Sequence, residues 1–193
     1  IEKTVGDVLP QYIEKFSCSE HGVKLLFGDV QSGKTSHVLG IVSAMADETF
    51  RNFIFFFTYN IRLQKQTITR VKRDLCEFCV CDENDYIRYE KNDFHKPVIV
   101  VLKKNSRILN KWRNHLDTIS SCLGQPLFIV DDEADASSLN TLVNKGGKSR
   151  INKALEDIKN RACSSIYLEV TGTPQAVLLQ SVQSGWKPDD KYY

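Results

Sequence analysis

Short runs of consecutive apolar residues punctuate the chain, and between them apolar positions recur every three or four residues. The runs Val23–Phe27, Asn52–Thr58, Pro97–Leu102, Pro126–Asp131 and Ser165–Val170 are of strand length and rich in β-branched or aromatic residues. A strand with no polar alternation is covered on both faces, the signature of a parallel sheet rather than a half-solvated antiparallel one. The intervening stretches read as helices. Val38, Leu39, Ile41, Val42 and Met45 form one apolar stripe, Ile61, Ile68, Val71 and Leu75 a second, and Ile108, Leu109, Trp112, Leu116 and Ile119 a third. Strands alternating with helices predict an α/β fold, a mostly parallel sheet with helices on both faces and chemistry at the carboxyl ends of the strands. The segment from Ser137 to Arg150, holding Gly146 and Gly147, reads as a loop, and no internal repeat is visible.

Three motifs sit at such strand ends. Directly after the first run, Gly28-Asp29-Val30-Gln31-Ser32-Gly33-Lys34-Thr35 matches the G-x-x-x-x-G-K-[ST] phosphate-binding loop. Small residues let the backbone N–H groups turn inward around a phosphate, and the following helix adds the positive end of its dipole. Asp29 through Ser36 are therefore the candidate nucleotide-binding residues, with Lys34 on the β- and γ-phosphates of ATP and the Thr35 hydroxyl on Mg²⁺. After the fourth run comes Asp131-Asp132-Glu133-Ala134-Asp135, which places Asp132 as the metal's partner and Glu133 as the group that polarises an attacking water. The third motif is Thr171-Gly172-Thr173-Pro174, two hydroxyls around a permissive glycine.

In this order the motifs resemble motifs I, II and III of superfamily-two helicases and translocases, whose first lobe is a RecA-like P-loop NTPase fold. More narrowly, Val30–Thr35, Arg62-Leu63-Gln64-Lys65-Gln66-Thr67, Val130–Asp135 and Val170–Ala176 together resemble the Z-one domain ATPases of putative endonucleases and bacterial restriction systems. The resemblance spans residues 28 to 179. It implies ATP and Mg²⁺ as cofactors, Lys34 and Glu133 as catalytic groups, and Thr35 and Asp132 on the metal. Asp135, Thr171 and Thr173 would couple nucleotide state to strand movement. Arg62, Lys103 and Lys104 would contact nucleic-acid phosphates, DNA by the narrower resemblance. The sequence departs from the pattern twice: Lys103-Lys104-Asn105 stands where helicases have Thr-Pro-Gly, and Gly172 where the narrower family has alanine.

Composition adds little to the motifs. With 193 residues, 41% hydrophobic, 26% charged and a net charge of +2, the chain fits one α/β domain with a substantial core. No apolar run nears the ~20 residues that cross a bilayer, and no leader opens the chain, so the expectation is a cytoplasmic protein. Six cysteines spread through the chain read as free thiols; Cys76, Cys79, Cys81 and His95 leave a zinc site open, without the second ligand pair usual for one. Gln11 could read adenine.

The expected division is a helical lead-in at 1–22, the ATPase lobe at 23–180, and at 181–193 the start of a connection to a second RecA-like lobe. That lobe would supply arginine fingers, so this fragment is expected to bind nucleotide and hydrolyse it weakly. Cleavage would belong to a nuclease domain or subunit elsewhere. A nucleotide-gated binding or assembly module and a small-molecule kinase remain alternatives.

Overall fold

The computed structural model describes residues 20–28, 33–48, 50–57, 61–92, 94–118, 124–137, 149–178, 186, 188 and 190–192, with residues 6 and 10 besides. Its strands are β1 (His21–Phe27), β2 (Asn52–Phe57), β3 (Cys79–Cys81), β4 (Val98–Lys103), β5 (Leu127–Asp132), β6 (Ser165–Thr171) and β7 (Asp190–Tyr192). Its helices include α1 (Lys34–Glu48), α2 (Ile61–Asp74), α3 (Tyr86–Asn92), α4 (Ser106–Thr118), α5 (Ala134–Ser137) and α6 (Arg150–Lys159). All the strands join one sheet in the order β3-β4-β2-β5-β6-β1-β7, and every pairing is parallel. The predicted α/β architecture is therefore the observed one, and each of the apolar runs is a strand.

The uninterrupted apolar runs are explained by burial on both sides. In β2, Phe53, Phe55 and Phe57 pack toward α1 and α2, against Val38, Met45 and Val71. Ile54 and Phe56 point the opposite way, toward Leu109 and Trp112 of α4 and Leu155 of α6. Phe50 meets Phe128 edge-on at 5.6 Å, an arrangement that favours aromatic pairs beyond their area of contact. Among the described residues no helix is long and apolar enough to cross a membrane.

β3 and β7 were not foreshadowed by the hydrophobic pattern. Each has three residues and lies at a sheet edge, β7 pairing with β1 at Lys24, Leu25 and Leu26. The sheet thus reaches beyond residue 180, where the lobe was expected to end. Of the loop expected between Ser137 and Arg150, residues 138–148 lie outside the described residues; its two ends close α5 and open α6.

Register decides where the motifs fall. Phe27 pairs with Thr171, Val170 with Asp132, Asp131 with Phe56, and Phe57 with Lys103. The carboxyl ends of β1, β6, β5, β2 and β4 consequently form one row, with β6 seated between the strand of the phosphate loop and the strand of the acids.

Candidate nucleotide site at the strand ends

The phosphate loop leaves β1 at Gly28 and enters α1 at Lys34, as expected; Asp29, Val30, Gln31 and Ser32 lie outside the described residues. Gly33 adopts φ +79°, a left-handed conformation that glycine takes without steric cost. Its carbonyl accepts from the N–H of Ser36 at 2.8 Å and of His37 at 3.3 Å, the first turn of α1. The Lys34 ammonium folds back to donate to the Gly28 carbonyl at 2.9 Å. A neighbour missed in the sequence is Arg70 of α2, whose Nη2 donates to the Ser36 hydroxyl at 2.6 Å. Its only sequence signal was membership of a basic helix.

The acidic motif turns sharply off β5. Asp132 is its last residue, Glu133 has φ +51°, and α5 begins at Ala134. Left-handed backbone is uncommon in a residue other than glycine and costs of order 1 to 2 kcal/mol. The turn leaves Glu133 exposed and Asp132 half-buried. Burial, with the Glu133 carboxylate adding to it and the Lys104 ammonium opposing, pushes the Asp132 carboxyl up to about 6. Asp135 accepts hydrogen bonds from the hydroxyls of Thr171, at 2.6 Å, and Thr173. Burial alone would raise the Asp135 carboxyl, but those hydroxyls, its own N–H and the Lys104 charge hold it below the usual carboxylate range. The structure thus joins the second and third motifs directly.

Lys104 corrects an expectation. Read from sequence as a phosphate contact, it is fully buried. Its ammonium pairs with Asp131 at 2.5 Å and donates to the carbonyls of Asp132 at 2.6 Å and Glu133 at 3.0 Å. A side chain with no surface exposure cannot touch a nucleic-acid strand. The physical reason is the doubled aspartate: Asp131 faces inward, fully buried, and a buried carboxylate requires a cation. Tyr167 supplies its other partner, donating to Asp131 Oδ2 at 2.6 Å. Lys103 is mostly buried and ion-paired to Glu83 at 3.0 Å. Glu83 also accepts from Gln64 at 3.3 Å, and its carbonyl accepts from the Trp112 indole at 3.0 Å. Arg62 lies exposed in the first turn of α2.

The cysteine candidates do not meet. Cys79 and Cys81 stand 3.9 Å apart on β3, whereas Cys76 and His95 line a separate cavity of about 370 Å³ beside Asp74. Among the described residues no group of three or more His, Cys, Asp or Glu is placed to hold a metal. Gln11 lies outside the described residues.

The donor types present are ones that a magnesium nucleotide takes. Mg²⁺ takes hard oxygen ligands, and the Asp132 carboxyl and Thr35 hydroxyl offer them. The pressure on Asp132 from burial and from Glu133 is of the kind that a nearby dication relieves. Lys34 and the first turn of α1 suit the phosphates.

A parallel sheet with the phosphate-loop strand beside the threonine strand and the acid strand beyond it makes this an α/β lobe of RecA-like P-loop NTPase fold. Among solved structures, the Pyrococcus furiosus Hef helicase domain aligns with a TM-score of 0.58 and 16% identity, over 98% of this chain and 39% of that one. The chain therefore spans about two fifths of that structure's length. B204, the DNA-packaging ATPase from Sulfolobus turreted icosahedral virus, aligns more loosely, with a TM-score of 0.47 and 15% identity over 84% of this chain and 73% of its own. The genome packaging NTPase B204 from Sulfolobus turreted icosahedral virus 2, in complex with ATP-gammaS, gives 0.43 and 13% over 81% and 66%. The likeness to Hef is one of fold, and the two looser ones bear no argument. No protein-family model and no curated protein matches the sequence.

Proposed function

We propose that this chain is the ATP-binding first motor lobe of a helicase-like DNA translocase that serves a restriction or defence endonuclease, as the resemblance to Z-one domain ATPases implies. The observation that carries the reading is the Asp135 carboxylate holding both Thr171 and Thr173, at the end of the strand between the phosphate loop and the acids. A change in the acidic loop is thereby passed to β6, the element both other motifs flank.

In this reading Lys34 exchanges the Gly28 carbonyl for the β- and γ-phosphate oxygens of ATP, while the first N–H groups of α1 cradle them. Thr35 and Asp132 would hold Mg²⁺, which when bound would neutralise phosphate charge. Glu133, exposed at the turn, orients a water in line with the γ-phosphate and takes its proton. Arg62 contacts the nucleic-acid backbone from α2. A second RecA-like lobe brings the arginine fingers, and a separate nuclease domain or subunit cuts.

The deciding measurement is ATP turnover by the full-length protein with and without DNA or RNA, beside Glu133→Gln. We expect DNA to stimulate turnover and the variant to lose about 10²- to 10⁴-fold in kcat. Nucleotide binding with no turnover under any condition would leave a nucleotide-gated module, and phosphate passing to a small acceptor would make the protein a kinase.

A further inference from the structure

We infer that Lys104 is a positioning residue for Glu133: its buried ammonium ties down the main chain of the acidic turn and so presents the Glu133 carboxylate at the row of strand ends. The inference rests on the hydrolytic reading above and adds a residue which that reading does not require.

An ammonium has three N–H donors and no acceptor. Lys104 sets its charge against Asp131 at 2.5 Å and donates to the Asp132 carbonyl and the Glu133 carbonyl at 2.6 and 3.0 Å. Neutralising Asp131 would need only the first of these, and Tyr167 already satisfies the second carboxylate oxygen. The other two contacts fall on the backbone of the residues that bear the proposed metal ligand and base. They fall where the chain is strained, since Glu133 holds φ +51°. Backbone in such a region persists only when its surroundings over-determine it. Within the turn the local tie is a 3.2 Å bond from the Glu133 N–H to Asp132 Oδ1. Lys104 adds two from outside the strand.

The lysine is itself held. Its N–H donates to the Phe57 carbonyl at 2.8 Å, at the end of β2. The next residue, Asn105, caps α4 by accepting from the N–H groups of Arg107 at 2.9 Å and Ile108 at 3.4 Å. The ends of β2 and β4, the start of α4 and the acidic turn are thus one connected unit. The departure of Lys103-Lys104-Asn105 from the helicase pattern is where that unit is built.

The test is steady-state ATP hydrolysis by the full-length protein. Lys104→Met keeps an apolar stem and removes the ammonium, but it leaves Asp131 buried and unpaired, which threatens the fold. The informative protein is therefore Lys104→Met with Asp131→Asn, which takes both buried charges away together, compared with the parent protein. We expect the double variant to unfold cooperatively and to bind ADP within about threefold of the parent, while kcat falls about 100-fold and KM stays within about threefold. Equal kcat in the double variant and the parent overturns the assignment and leaves hydrolysis standing. A raised KM with unchanged kcat also overturns it, because the lysine would then serve nucleotide binding. Absence of Glu133-dependent turnover in the parent removes the hydrolytic reading itself, and this assignment falls with it.

Discussion

Glu169 sits in the middle of β6, beside Asp131 on β5, with one carboxylate oxygen that finds no hydrogen-bond donor. Burial, and then the Asp131 charge, raise its carboxyl well above the ordinary value of 4.5, with Lys159 and Lys104 opposing. A carboxyl raised in the folded state binds its proton more tightly there than in the unfolded chain. Stability therefore falls as pH climbs from about 4.5 through the folded-state value. We expect Glu169→Gln to raise the melting temperature at neutral pH, by about 2 to 4 °C for each kcal/mol regained. The gain should close below pH 4.5, and a pH series of thermal melts checks this sign. Gly33 offers a second case. Nothing lies within 4 Å of where a Cβ would stand, so Gly33→Ala meets no clash, yet φ is +79°. The strain of about 1 to 2 kcal/mol should appear as a lower melting temperature and, if relieved by turning the loop, as weaker ATP binding. Neither Glu169 nor Lys104 was legible in advance, because burial within a strand is set by neighbours distant in sequence.

Helices and strands were read more easily than caps and edges. Continuous apolar runs announced β1, β2, β4, β5 and β6, since a strand covered on both faces has no polar alternation to disguise it. α6 was missed although Ile151, Ala154, Leu155 and Ile158 give it a clear apolar stripe, whereas the short α3 and the edge strands carried weaker patterns. In β3, Cys79, Val80 and Cys81 form a strand because β4 offers a free edge, a fact of the assembled sheet. Local signals at helix starts were present but small. Asn105 before α4 and Ser149 before α6, whose hydroxyl accepts from Asn152 at 3.2 Å, both supply a first-turn acceptor. We expect Asn105→Ala to cost about 1 kcal/mol by denaturant unfolding. If Lys104 acts as inferred, the same variant should also lower kcat, since it loosens the backbone from which the lysine projects.

In the assembled lobe, residues more than a hundred positions apart meet in one row. Phe27 and Thr171 are register partners, and β6 lies between the loop at Gly28 and the acid at Asp132. Nucleic acid, in the proposed reading, would run past α2 and its exposed Arg62 rather than past Lys103, which is held by Glu83, or Lys104, which is interior. Arg62→Ala should therefore weaken DNA binding evenly across sequences. It should also reduce the slope of log affinity against log salt by about one; unchanged salt dependence would place the strand elsewhere.

The sequence alone indicated the fold class and named the candidate chemistry, because apolar periodicity and the three motifs are local patterns whose meaning depends on spacing along the chain. The tertiary structure decided which charges face water. Of two adjacent lysines it paired one with Glu83 and sealed the other beneath the acidic turn. Of two adjacent aspartates it turned one into the core and left the other half-exposed at the strand end. Alternation along a strand sends neighbours to opposite faces, and only the packing against those faces shows which face is the site.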